Sequence, residues 1–134
     1  TLHQANPRVH VVEAALTDQN AVVSLYAPSH ADTRASLSAA HSRRFASRNG
    51  VELRVQGMTP ETLCKEYGIH DIHVLQIDCE GYDFVLLKLI LATHTPRIVN
   101  FESFHLSQAD REESRRWLTA RGYYFLEHGL DTLC

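Results

Sequence analysis

Glycine is scarce where a nucleotide site would need it. The six glycines are Gly50, Gly57, Gly68, Gly81, Gly122 and Gly129, and no two stand closer than seven residues. Dinucleotide and phosphate loops cluster their glycines because the backbone must approach the ligand closely, so a G-x-G-x-x-G turn and a P-loop are both excluded. G-x-S-x-G and H-E-x-x-H are absent too. Cys64, Cys79 and Cys134 are odd in number and form no C-x-x-C pair. A disulfide framework or zinc knuckle is therefore not expected, and a reducing, cytoplasmic compartment fits. The longest apolar run, Phe84 to Ala92, is broken by Lys88 and is too short to span a bilayer. The net charge of −3 leaves no footprint for nucleic acid. Arginines group at Arg43, Arg44 and Arg48 and again at Arg111, Arg115, Arg116 and Arg121, but among Ser, Asp and Glu, as on a solvated helix face. Neither a nucleic acid nor a membrane is an expected partner.

What is present suits one globular domain. A chain of 134 residues can bury roughly 68% of its unfolded surface, enough for a core. It opens on Thr1 rather than Met, and reads as a piece of a longer protein. "RVHVVEAAL", Arg8 to Leu16, reads as a strand, "TDQN" as a turn, and "AVVSLYA" as a second strand able to pair back as a hairpin. Residues 28–50 are expected to form a mobile loop region, with Pro28 to Ser42 holding at most one short helix. "VELRVQG" is a third strand. "TPETLCKEYGI" is a short helix capped by Thr59, with Pro60 at its first position and Gly68 at its end. "HVLQID" is a buried strand, followed by an acidic turn and by a helix, Tyr82 to about Ala92, that is apolar nearly all round. "PRIVNFES" is a further strand. A helix follows from the Ser107 cap to the Gly122 stop, and "YYFLEHG" is a last strand. Strand and helix alternate through the second half, which predicts parallel pairing in a layered α/β fold.

Two strand ends carry acids. Asp78 closes "HVLQID" with Glu80 beyond it, and Glu102 closes "NFE" with His105 following. Ligands of open α/β sheets sit outside such carboxyl ends. If the strands are neighbours, Asp78, Glu80, Glu102 and His105 share a rim that can bind a hydroxyl or amine, hold a cation or act as a base. Gly81 permits a tight turn, and Asp83 complements the positive end of the helix that follows. The acids Asp78 and Glu80 should raise the pKa of Cys79, so it reads as a small core filler and not a nucleophile. Nine histidines invite a metal reading, but only "HDIH" brings two close, and it straddles a loop and a strand start. No metal site is expected from that pattern.

"LQIDCEGYDFVLLK", "PRIVNFESFHLS" and "LTARGY" together resemble the C-terminal half of the FkbM-type S-adenosylmethionine-dependent methyltransferases. The family pattern is an apolar strand with I-D-x-E-G-x-E/D, matched by Ile77, Asp78, Glu80, Gly81 and Asp83. Leu86 and Leu87 match the helix that follows, and Glu102 matches the acid after the next strand. "VHVVEAALTD" and "VQGMTPETLCKEYGI" resemble earlier parts of the domain. The resemblance implies a Rossmann-like class I methyltransferase sheet, ordered 3-2-1-4-5-7-6. It also implies methyl transfer from S-adenosylmethionine to a hydroxyl of a small-molecule or glycan acceptor. Ala15 and Leu16 would flank the adenine, and Asp78 would stand at the junction of cofactor and substrate. Glu80 would orient its neighbours, and Glu102 and His105 would face the acceptor. The family's first strand, glycine-rich turn and ribose-binding acid fall upstream of Thr1, so an incomplete sheet is expected, with two unpaired edges and an exposed Phe84–Ala92 helix. Early strands would fill the gap, or a homodimer would cover it. Two alternatives remain: a non-catalytic interaction module of the same descent, and a metal hydrolase using Asp78, Glu80 and nearby histidines.

Overall fold

The computed structural model describes residues 8–29, 35–37 and 50–134. Most of the loop region 28–50 lies outside them. The elements run β1 (Ala15–Leu16), β2 (Val22–Ala27), β3 (Val51–Met58), α1 (Pro60–Glu66), β4 (Val74–Ile77), α2 (Asp83–Leu91), β5 (Ile98–Glu102), α3 (Gln108–Thr119), β6 (Leu126–His128) and β7 (Asp131–Leu133).

They form two sheets, of order β1-β3-β2 and β4-β5-β7-β6. The first departs from the sequence expectation. β2 does not fold back on β1; it pairs antiparallel with β3 over six positions, and β1 pairs parallel with β3 only at Ala15↔Gly57 and Leu16↔Met58. The expected strand Arg8–Leu16 shrinks to two residues because the ladder stops there, and Val9 and Val11 are exposed. Gly57 permits the close crossing of the preceding turn, since a Cβ there would come within 2.5 Å of the Ala21 carbonyl oxygen.

The second sheet is parallel only between β4 and β5. β7 runs antiparallel to both β5 and β6. The strand expected in "YYFLEHG" begins only at Leu126 and is half of a hairpin closed by Gly129 and Leu130, with Gly129 at φ = 65°. Glycine in the first of two turn positions is the usual device for such a reversal. The order β4-β5-β7-β6 is consistent with the second half of the expected 3-2-1-4-5-7-6 sheet. Among the described residues no early strand pairs with β4, so the gap is not filled in that way.

Helix starts follow local chemistry. The Thr59 hydroxyl oxygen accepts from the Thr62 N–H at 3.2 Å, and the Ser107 hydroxyl oxygen accepts from the Asp110 N–H at 3.1 Å. Gly68 and Gly122, just past α1 and α3, have φ of 64° and 84°, left-handed exits that suit glycine. α2 is buried rather than exposed. Phe84, Leu86, Leu87, Ile90 and Leu91 join Ile77, Val99, Phe101, Leu106 and Leu118 in one core. The Phe84 and Trp117 rings meet edge to face at 6.2 Å, and Lys88 lies over Phe84 and 3.5 Å from Glu113, tying α2 to α3. β4 is buried on one face only, since Val74 and Gln76 are exposed while Ile77 is in the core. No helix among the described residues is long and apolar enough to cross a membrane. All three cysteines are free.

Candidate functional site

The turn Cys79–Tyr82 links β4 to α2, and its backbone is unusual. Glu80 has φ = 48° and Gly81 φ = 90°, and the Tyr82 N–H donates to the Cys79 carbonyl at 3.1 Å. Two consecutive positive φ values are the pattern of a type I′ turn. A non-glycine residue held there costs on the order of 1 kcal/mol. Asp83 holds the turn closed. Fully buried, it accepts from the Cys79 N–H at 3.1 Å on Oδ1 and from the Gly81 N–H at 3.0 Å on Oδ2. From the other side the Ser36 hydroxyl donates to the Glu80 carbonyl at 3.0 Å. Ser36 is itself buried and exchanges both backbone hydrogen bonds with Tyr26 at the end of β2. The acidic turn is thereby fastened to both sheets.

The residues expected at the site fall into two groups around this turn. Ala15, Leu16 and Asp78 line one cleft of about 540 Å³, together with Leu25, Val55, Gln56, Cys79 and Tyr82. That volume lies in the range of small-molecule sites, which join apolar walls to a few polar groups. Glu80, Glu102 and His105 form the second group, with one donor atom of each within 4.8 Å of the others. His105 Nε2 stands 3.6 Å from Glu80 Oε2 and 3.5 Å from Glu102 Oε1. The loop bearing His105 is secured through Ser103 and Phe104, whose N–H groups both donate to the Leu130 carbonyl at 3.0 Å, and by the Thr132 hydroxyl, which donates to Ser103 Oγ at 2.9 Å.

Strand register explains the electrostatics. Ile77 pairs with Phe101, so Asp78 and Glu102 are next in line, and Glu102 pairs with Asp131 on its other side. A row of carboxylates thus crosses three strands, where like charges oppose one another. Burial pushes the Glu102 carboxyl up to about 7, reinforced by Asp78, Asp83, Glu80 and Asp131. Among the described residues Glu102 Oε2 is buried with no hydrogen-bond partner. The Cys79 thiol rises to about 11, through burial first and then Asp83 and Asp78, so it stays protonated. The expected acid partner Glu80 is replaced by Asp83, since Glu80 turns away to His105. Of the "HDIH" pair, His73 lies 3.7 Å from Asp71, and both side chains are exposed.

Sequence reading missed Asp131, the clamp made by Asp83, and Ser36. The signal for Asp131 was "HGLD", a glycine between two short β-prone runs. Nothing local marks Ser36, whose partners lie 10 and 44 residues away.

Fold and site together define an α/β domain with a cleft and an acidic cluster at the carboxyl ends of its strands. The chain matches the model of the methyltransferase FkbM domain over residues 3–125, and it belongs to that family. Membership implies a methyltransferase. No curated protein and no solved structure gives a significant match.

Proposed function

We propose that the domain transfers a methyl group from S-adenosylmethionine to a hydroxyl oxygen of a small-molecule or glycan acceptor. The observation that carries this reading is the shared turn. It contributes Asp78, Cys79 and Tyr82 to the cleft and presents Glu80 to Glu102 and His105. The cleft fits an adenosyl group: Ala15 and Leu16 offer apolar walls, and Asp78 offers a carboxylate that can accept from hydroxyls or face a positive sulfur. When bound, the cofactor supplies an electrophilic methyl group for in-line displacement. The residues of the chain supply position and a proton acceptor. Glu102, with its pKa near 7, and His105 beside it suit removal of the hydroxyl proton. In the whole protein, Asp78→Asn is expected to lower the rate of methylation at least tenfold, in line with loss of a positioned carboxylate. A parental rate would overturn the assignment.

The cofactor reading has a second test. No glycine-rich turn occurs in these 134 residues. Calorimetry of this chain alone with S-adenosylmethionine is expected to give no measurable heat, and micromolar binding would show that the cleft suffices without such a turn. A non-catalytic interaction module is the second reading, supported by the exposed sheet face on which Val74, Ile98 and Leu133 stand beside Gln76 and Asn100. Pairing of two copies along β4 belongs with it.

A further inference from the structure

We propose that Glu80, Glu102 and His105 form a binding site for a divalent transition-metal cation. The sequence hides such a site, because its donors come from a turn, a strand end and a loop with no regular spacing. The fold brings them together. Bonds of about 2.1 Å hold donor atoms roughly 3.0 Å apart at octahedral angles and roughly 3.4 Å apart at tetrahedral ones. His105 Nε2 lies 3.5 Å from Glu102 Oε1 and 3.6 Å from Glu80 Oε2, close to the wider of these spacings before any ion draws them in. One imidazole and two carboxylates suit a cation of intermediate hardness and leave coordination positions open.

Three further observations point the same way. Glu102 is only 12% exposed at its side chain, and its Oε2 is buried without a hydrogen-bond partner among the described residues. A buried carboxyl oxygen in that state calls for a partner, and a bound ion is one that the neighbouring donors can share. Glu80 is held in a left-handed backbone conformation, gripped by Ser36 at its carbonyl and by Asp83 through its two neighbours, so its carboxylate is presented on a preset frame. Asp131 pairs with Glu102 across the ladder and Asp78 is next in line, which adds negative charge around the three donors. A cation bound there would sit beside the cleft and could take an acceptor oxygen as a further ligand. That role rests on the methyl-transfer reading; the binding itself does not.

The test is direct titration of the chain with Mn2+, in the absence of cofactor and acceptor, followed by calorimetry and by loss of the free-ion electron paramagnetic signal. Mn2+ is preferred to Zn2+ because exposed histidines and thiols capture zinc unspecifically. One site per chain is expected. Glu102→Gln and His105→Ala should each weaken it at least tenfold, while His73→Ala should leave it unchanged. Glu102→Gln removes a charge that the fold disfavours, so it should fold; circular dichroism checks this for both variants. Absence of binding at millimolar Mn2+, or binding that survives both substitutions, overturns the site. Either result leaves the Asp78→Asn test of methyl transfer standing.

Discussion

Glu80 carries backbone strain, with φ = 48° in a region that side chains with a Cβ avoid. Asparagine tolerates that region better than most residues, whereas β-branched residues do not. Glu80→Asn should therefore keep the thermal midpoint within a few degrees while removing the carboxylate. Glu80→Val should lose about 1–2 kcal/mol in chemical denaturation. If Glu80→Asn also kept full methylation in the whole protein, the carboxylate would have no part in the chemistry. Glu102 offers a second readout. Its carboxyl is raised from 4.5 to about 7 by burial and by Asp78, Asp83, Glu80 and Asp131, with His105 facing it. Between those values the folded chain holds a proton that the unfolded chain has released. This group therefore makes stability fall as pH rises from about 4.5 to about 7, with no further loss above. Glu102→Gln should flatten that part of the pH profile in urea titrations. An unchanged slope would mean that Glu102 ionises normally.

The turn between β4 and α2 is built by residues that local patterns leave ambiguous. From sequence Asp83 reads as a charge at a helix start, and it does stand in the first turn of α2. Its larger work is to accept two N–H groups of the preceding turn. Asp83→Ala would strand those donors in a buried site, at about 2–3 kcal/mol. Asp83→Asn keeps one acceptor oxygen and should lose less; equal losses for the two variants would argue against the clamp. The same contrast explains which elements were legible. α1, α2 and α3 follow from caps and apolar runs, which act within a few residues. The register of β1, β2 and β3 depends on which strand becomes central, and alternation alone cannot say so. The rim was legible because acids at the ends of apolar strands are conspicuous. Its grouping into a cleft side and a cluster side was not, because the turn conformation decides it.

At the scale of the molecule, the described residues pack helices on one face of the second sheet only. Alternation along β4, β5 and β7 sends Leu75, Ile77, Val99, Phe101 and Thr132 toward α2 and α3, and sends Val74, Ile98 and Leu133 the other way. Val74 is 62% exposed, Ile98 45% and Leu133 42%. Parallel strands such as β4 and β5 are normally buried on both faces. Among the described residues β4 also lacks a partner on its outer side. An apolar strip beside an open strand edge is a template for pairing with another chain. The isolated chain should therefore show concentration-dependent association in sedimentation velocity. Lysine at an edge strand opposes such pairing. Val74→Lys should shift the chain toward monomer and leave the thermal midpoint nearly unchanged, because the valine contributes little to the core. A parent chain that stays monomeric at the highest attainable concentration would show that the strip is not adhesive. A Val74→Lys variant that lost its fold would instead place Val74 in packing that its exposure does not indicate.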